Sequence, residues 1–161
     1  RVAETLMMEY HKKWDVDTRI ARIFNTYGPR LAKDDGRVVS NFICQAISKE
    51  DITIYGNGNQ TRSFCYVEDT VLGLVKLMHQ VGYFLPINIG KPQESTVGEL
   101  AGLVKELTNS DSAIRFEDLP QDDPQKRNPD ITKAKNILGW SPKIELRDGL
   151  ERTIEYFRNI L

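Results

Sequence analysis

Cysteine and histidine are scarce in this sequence, and neither sign of charge is in excess. The 161 residues include two cysteines and two histidines. Cys44 and Cys65 form no CxxC motif, and His11 and His79 lie far apart, so neither a disulfide framework nor a metal site is supported. The favoured interpretation of the cysteines is two buried, reduced thiols. The 22 basic and 23 acidic side chains leave a net charge of −1, which does not indicate a nucleic-acid or membrane surface.

A long apolar run is also lacking. No stretch is long enough to span a bilayer, so no membrane contact is predicted for this segment. The sequence opens on Arg1-Val2-Ala3-Glu4, without an initiator Met and in helix-like sequence. This opening predicts a piece of a longer protein, whose targeting signal would lie upstream. Hydrophobic residues make up 40% and charged residues 28% of the chain, which is typical of one soluble globular domain.

Hydrophobic periodicity predicts helices alternating with short strands. The predicted helices cover 1–14, 38–48, 69–79, 97–107 and 146 to the end, and the predicted strands cover 19–24, 52–55, 63–67 and 86–89. Thr96 and Glu99 have the spacing of a capping box at the start of the fourth helix. Alternating elements favour an α/β chain. The strands are few and short for a doubly wound sheet, which predicts that part of the sheet is missing.

A glycine-containing loop, Gly56-Asn57-Gly58-Asn59-Gln60-Thr61, follows a predicted strand and approaches a dinucleotide-binding fingerprint. The fingerprint requires a helix to start there and a third small residue for close packing. Thr61 occupies that third position, and strand-like sequence follows it. A dinucleotide fingerprint is therefore disfavoured, although the glycines still allow a backbone to approach a ligand closely.

Four arginines, Arg30, Arg37, Arg62 and Arg127, occupy turn-rich segments. Loops at strand ends collect ligands in α/β proteins, and a guanidinium suits bidentate contact with phosphate or carboxylate. The alternative is that each is a solvated surface charge. Asn25, at the end of a predicted strand, is equally open, as a turn residue or as a donor to a ligand.

The sequence resembles the UDP-glucuronate decarboxylases (UDP-xylose synthases) of the extended short-chain dehydrogenase/reductase family. The resemblance covers nearly the whole chain and is carried, in order, by the strings RVAETLMMEY, RIARIFNTYGPR, DGRVVSNFI, ITIYGNGNQTRSFCYVED, INIG, DDPQKRNPDITKAKNILGW and GLERTIEYF. The strings around Gln60-Thr61-Arg62 and Arg127 are the most specific of these.

The resemblance implies the carboxy-terminal part of a Rossmann-type α/β enzyme with its small substrate-binding region. Residues 1–30 would end the NAD-binding domain, and 31–161 would form mainly the sugar-nucleotide-binding region, with some elements returning to the Rossmann sheet. The implied reaction oxidises C4 of UDP-glucuronate with bound NAD, releases carbon dioxide from the β-keto acid, and returns hydride to give UDP-xylose.

The chain departs from the family pattern in what it lacks. The Tyr and Lys of the Tyr-x-x-x-Lys motif and the glycine-rich phosphate loop are absent from these 161 residues. The isolated chain is therefore expected to be inactive. Two alternatives stay open: a non-catalytic truncated fragment that binds UDP or dimerises, and a related sugar-nucleotide 4-epimerase or 4,6-dehydratase.

Site roles follow from the resemblance position by position. Arg127 would act on the sugar and its carboxylate. The other implied substrate-binding residues are Asn25, Val39, Ser40, Phe42, Ile54, Tyr55, Gln60, Arg62 and Asp130. Thr26 and Arg37 resemble positions near the NAD.

The resemblance also implies a UDP-sugar substrate and a homodimer formed through the first helix. Met7, Met8 and Tyr10 would then lie in the dimer interface, although an intramolecular core is nearly as well favoured by their spacing. Relatives occur both in the cytoplasm and in the Golgi lumen as membrane-anchored proteins, and the sequence leaves the compartment open.

Overall fold

The structure is a computed structural model that describes residues 2–118 and 126–161. Its helices are α1 (Val2–Trp14), α2 (Val38–Ile47), α3 (Val67–Met78), α4 (Val97–Thr108), α5 (Thr132–Leu138) and α6 (Leu146–Arg158). Its strands are β1 (Ala21–Ile23), β2 (Thr26–Tyr27), β3 (Ile52–Tyr55), β4 (Thr61–Ser63), β5 (Cys65–Tyr66), β6 (Ile87–Ile89), β7 (Glu94–Thr96), β8 (Ile114–Glu117) and β9 (Lys126–Arg127). Within the described ranges, no helix is both long and apolar enough to cross a bilayer.

Most strands pair in parallel, with helices in the connections. Strand β1 pairs with β6, β2 with β5, and β3 with β8, all in parallel. Strand β4 lies between β7, which is antiparallel to it, and β9, which is parallel. Parallel pairing requires long crossover connections, which helices provide. The predicted α/β class is confirmed.

The larger core lies among α2, α4, α6 and the strands beside them. The periodicity of α2 predicts that Val39, Phe42, Ile43, Ala46 and Ile47 face inward. The first four are buried, and Ile47 is partly buried against the same core. Leu150, Ile154, Phe157 and Leu161 have the spacing of one helix face. The first three are buried in α6, whereas Leu161 follows the helix and is exposed. The capping box at Thr96 and Glu99 is present as predicted, and it sets the start of α4.

A smaller core joins α3, α5 and β6 around Trp140. The indole is 2% exposed and its Nε1 donates a hydrogen bond to the carbonyl of Asp69 at 3.0 Å. The Asp69 carboxylate accepts hydrogen bonds from the backbone N–H groups of Lys143 and Ile144, at 2.9 and 2.8 Å. These bonds fasten the segment between α5 and α6 to the start of α3.

Several elements differ from their predicted form. The strand predicted over 63–67 is divided at Phe64 into β4 and β5. Helix α5 and strands β2, β7, β8 and β9 were not predicted. Helix α1 forms as predicted, but it buries no residue against the described parts of the chain, so its apolar positions do not belong to either core. Of the two free thiols, Cys65 is buried and Cys44 is only partly so.

Gly149 lets α6 approach the aromatic rings of β2 and β5. A Cβ atom at this position would overlap Tyr27 Oη and lie 2.8 Å from Tyr66 Cδ2. The Tyr27 hydroxyl is held in this position, because it donates a hydrogen bond at 3.2 Å to the carbonyl of Leu146, which lies on α6 like Gly149. The close packing of α6 against Tyr27 and Tyr66 therefore requires glycine at position 149.

We expect Gly149→Ala to destabilise the fold by about 1–3 kcal/mol, the usual cost of overpacking a core. Denaturant unfolding measures the change. Gly102→Ala is the matched control, because Gly102 lies within α4 and no described atom is within 4 Å of its Cβ position. The control should be neutral or stabilising by up to about 1 kcal/mol. Equal effects of both substitutions would contradict the packing explanation.

Candidate functional site

A cavity of about 730 Å³ opens where β1, α2, β3, β4 and β9 meet. Its wall is formed by Ile23, Phe24, Asn25, Thr26, Leu31, Gly36, Arg37, Val38, Val39, Asn41, Phe42, Thr53, Tyr55, Gln60, Arg62, Phe64, Val97 and Arg127. The wall combines apolar surface with a small number of amide and guanidinium groups, as ligand sites commonly do.

Arg62 and Arg127 are neighbours because their strands are paired. In the parallel ladder of β4 and β9, Arg62 lies opposite Arg127. Side chains alternate between the two faces of a strand, so Gln60, Arg62 and Phe64 reach the cavity together. Arg62 is only 8% exposed, and its Nη1 donates to the carbonyl of Thr61 at 2.8 Å. Guanidinium groups form charge-assisted, often bidentate hydrogen bonds with phosphate and carboxylate, which makes this wall suited to either anion.

The other face of the same sheet carries polar side chains that join its strands. Glu94 accepts a hydrogen bond from Thr61 Oγ1 at 2.7 Å and another from Asn128 Nδ2 at 3.0 Å. Ser63 Oγ donates to the backbone carbonyl of Arg127 at 3.0 Å. These contacts hold β7, β4 and β9 in register behind the two arginines.

Asn25 and Thr26 lie on the cavity at the end of β1. The carbonyl of Asn25 accepts a hydrogen bond from the backbone of Cys65 at 2.9 Å, which fixes this turn against β5. Thr26 Oγ1 donates to the carbonyl of Phe24 at 3.0 Å and lies 3.1 Å from Thr70 Oγ1. The Thr26 hydroxyl therefore serves the turn itself.

Helix α2 begins on the cavity wall at Arg37. The N-cap makes no side-chain hydrogen bond to the first turn, so the partial positive charge of the helix start is directed to this side. Arg37 Nε lies 3.3 Å from Asp35 Oδ2, and Arg37 is otherwise largely exposed. Ser40 is buried with its hydroxyl 2.7 Å from Asp35 Oδ1.

The opposite wall is formed by β3 and the loop that follows it. Gln60 Nε2 donates to the carbonyl of Tyr55 at 2.6 Å, so both residues belong to one rigid turn. Alternation along β3 sends Thr53 and Tyr55 to the cavity, whereas Ile52 and Ile54 enter the core.

The cavity wall includes most of the site residues predicted from the sequence, but not Ser40, Ile54 or Asp130. Ser40 supports the loop before α2, and Ile54 belongs to the core. Asp130 is exposed and accepts a hydrogen bond from the Thr132 backbone at 2.9 Å at the start of α5, and this bond holds the pKa of Asp130 below its ordinary value. Ile54 and Tyr55 point to opposite faces of β3 because side chains alternate along a strand, so a substrate contact of Ile54 stays a prediction.

Other cavity residues were missed by the sequence analysis, including Asn41 and Thr53. The position of each relative to a predicted site residue indicates that it faces the cavity. Asn41 lies one helical turn after Arg37 and Val38, and Thr53 is two residues before Tyr55, on the same face of β3. The polar, proline-flanked sequence of 122–129 predicts a loop. Residues 122–125 lie outside the described residues, and 126–127 form β9.

Known proteins resemble this chain in both sequence and structure. Residues 1–153 match the family model described as GDP-mannose 4,6 dehydratase. UDP-glucuronic acid decarboxylase 6 of Arabidopsis thaliana is 57% identical over 160 residues, which are 98% of this chain and 46% of that protein. The chain spans between 35% and 46% of the length of such curated relatives.

Solved structures of sugar-nucleotide 4-epimerases have the same fold as this chain. UDP-glucose 4-epimerase from Thermotoga maritima, solved with UDP-glucose, superposes with a TM-score of 0.95 at 32% identity, over 99% of this chain and 52% of that one. UDP-glucuronic acid 4-epimerase from Bacillus cereus, in complex with UDP-glucuronic acid and NAD, has a TM-score of 0.90 at 29% identity, over 98% and 50%. The chain belongs to the GDP-mannose 4,6 dehydratase family of extended short-chain dehydrogenase/reductases.

Proposed function

We propose that this chain forms the sugar-nucleotide-binding part of a UDP-glucuronate decarboxylase, which converts UDP-glucuronate to UDP-xylose through a 4-keto sugar. The observation that carries the proposal is the pairing of Arg62 with Arg127 on one wall of a cavity that also includes Asn25. Two guanidinium groups and an amide suit a ligand that carries both a diphosphate and a carboxylate. The similarity to decarboxylases over nearly the whole chain supports the same substrate.

Each residue has a distinct part in this proposal. Arg62, almost buried, would hold the diphosphate through charge-assisted hydrogen bonds, with Gln60 and Tyr55 on the nucleoside side. Asn25 would donate to the diphosphate-sugar from the end of β1. Arg127 is the more exposed arginine, and we assign it to the sugar carboxylate.

Arg127 would contribute by charge. A guanidinium stays protonated at any physiological pH and therefore does not act as a proton donor. It would hold the carboxylate in place before carbon dioxide leaves, and stabilise the negative charge that then develops on the 4-keto sugar. The Tyr-Lys base of the resembled family would come from sequence outside these 161 residues.

NAD is the cofactor in this proposal, and bound NAD would accept and return the hydride at C4. Arg37 fits a contact with its phosphates, because the guanidinium is largely exposed on the cavity rim beside the start of α2. Thr26 would support the cofactor side through the turn that its hydroxyl stabilises. Residues 1–30 are accordingly assigned to the end of the NAD-binding domain and 31–161 mainly to the sugar-nucleotide region.

Helix α1 is assigned to a homodimer interface. Val2, Leu6, Tyr10 and Trp14 are exposed on α1, a helix in which none of the described residues is fully buried. An exposed apolar stripe on a helix is typical of a surface that packs against another element.

Carbon dioxide release distinguishes this proposal from its main alternative. We expect the full-length protein, supplied with UDP-glucuronate and NAD, to release carbon dioxide and form UDP-xylose. A 4-epimerase is the second candidate, because solved 4-epimerases share the fold closely. Formation of UDP-galacturonate without carbon dioxide would establish that candidate and contradict ours. No turnover, with UDP still bound, would favour a non-catalytic binding fragment.

A further inference from the structure

We infer that Glu94 is a positioning residue for the arginine pair, through the hydrogen bonds that it accepts from Thr61 and Asn128 behind the cavity. The inference rests on the proposed function, since the arginines matter only if they bind a sugar nucleotide. Glu94 lies on β7, opposite Ser63 in the antiparallel ladder with β4. It does not line the cavity, so its effect on a ligand is exerted through the strands.

The carboxylate of Glu94 joins the two strands that carry the arginines. Oε1 accepts from Thr61, the residue before Arg62, and Oε2 accepts from Asn128, the residue after Arg127. Because side chains alternate along a strand, the neighbours of the two arginines lie on the face away from the cavity. One carboxylate thus sets the distance between β4 and β9 on one face, and with it the spacing of the guanidinium groups on the other.

Strand β9 depends on such contacts because it is short. It consists of Lys126 and Arg127 alone, and a two-residue ladder contributes few hydrogen bonds. Two further contacts hold it: Ser63 Oγ donates to the Arg127 carbonyl, and Pro129 packs close to Gly90, whose added Cβ would lie 3.0 Å from Pro129 Cγ. Glu94 is the charged member of this set, and hydrogen bonds to a charged acceptor are the stronger ones.

The test uses the chemistry of the two partners. Thr61 and Asn128 both donate to Glu94. Asn128→Asp removes one donor and places two carboxylates together. Glu94→Gln in the same protein restores a donor facing the new acceptor and returns the pair to its original net charge. Repulsion in the single variant should therefore be relieved in the double variant.

The measurements on the full-length protein are the KM of UDP-glucuronate, which reports on both arginines, and the Kd of UDP, which reports on Arg62, with thermal melting alongside. We expect Glu94→Ala and Asn128→Asp each to raise the KM of UDP-glucuronate by about tenfold, because misplacement of a binding group by about 1 Å is costly. Glu94→Gln alone should lose roughly threefold, since neutral hydrogen bonds are weaker. The Glu94→Gln/Asn128→Asp protein should recover most of what Asn128→Asp loses.

Glu106→Gln is the matched control. The Glu106 carboxylate likewise has a side-chain partner, Arg147 at 2.7 Å, but Glu106 lies on α4 away from the cavity wall. The Glu106→Gln protein should therefore match the wild type in the Kd of UDP and in the KM of UDP-glucuronate. A KM of UDP-glucuronate unaltered by Asn128→Asp, or not restored in the double variant, would overturn the positioning role while the proposed function stands. A wild-type protein that fails to bind UDP would overturn both. The Gln and Asp variants conserve side-chain size, so the comparison survives if Glu94→Ala does not fold.

Discussion

Replacing Arg62 by alanine is expected to weaken UDP-sugar binding by about 100-fold, or ~2.7 kcal/mol. Its guanidinium lies in the cavity wall at 8% exposure, where water competes poorly for a bound phosphate. Charge-assisted hydrogen bonds contribute about 1.5–3 kcal/mol each. The loss should appear in the Kd of UDP as well as in the KM of UDP-glucuronate, because Arg62 is assigned to the diphosphate.

Two further variants separate charge from geometry in this result. Arg62→Lys keeps the charge but loses the planar fork, so we expect it to recover less than half of the lost free energy. Arg115 lies on β8, outside the cavity wall, and is paired with Asp51. Arg115→Ala therefore removes an arginine that has no contact with the cavity. It should leave UDP binding unaltered. If Arg115→Ala weakened UDP binding as much as Arg62→Ala, a general electrostatic effect would replace the specific contact.

The part of the fold that follows local rules was predictable from sequence. Helix α2 has apolar residues at helical spacing, and α4 begins at a capping box, so both were placed to within a residue or so. Strand β3 was placed at its observed bounds because Ile52 and Ile54 alternate with Thr53 and Tyr55. Each of these signals resides within a few consecutive residues.

The elements that were missed depend on partners far along the chain. Strand β9 has two residues, and it is a strand only because Arg62 lies opposite Arg127, 65 positions later in sequence by their numbering. Helix α5 is only seven residues long, which is too short for a clear periodicity. Sequence reasoning could place the arginines in turns, but only the tertiary pairing brings them to one cavity.

Asp130 is another residue whose contacts could not be predicted from its place in the sequence. Its position just after Arg127 suggested a ligand contact, whereas its carboxylate accepts a hydrogen bond from the backbone of Thr132. Aspartate before a helix is a common way to satisfy an unpaired N–H group. The residue type alone therefore supports a capping role as well as a binding role. The geometry at the start of α5 shows the capping contact, and the substrate contact stays a prediction.

Trp140→Ala is expected to produce the largest loss of stability, about 3–5 kcal/mol, the usual cost of removing a buried aromatic side chain. The indole fills the space between α3 and β6: an added Cβ on Gly73 would lie 3.0 Å from both Trp140 Cε2 and Ile89 Cγ2. Since β6 pairs with β1, the resulting cavity lies directly behind the strand that carries Asn25 at its end. Thermal melting should record the loss, and UDP affinity should fall with it.

Trp14 provides an internal control, because it is the second tryptophan of the chain and is 56% exposed on α1. Trp14→Ala should change the free energy of unfolding by less than about 0.5 kcal/mol in the monomer, as surface substitutions usually do. Trp140→Phe should lie between the two, since it keeps most of the ring volume and loses the hydrogen bond to Asp69, worth about 1 kcal/mol. If Trp140→Ala cost no more than Trp14→Ala, the smaller core would not support the site, and Asn25 would have to be held by its bond to Cys65 alone.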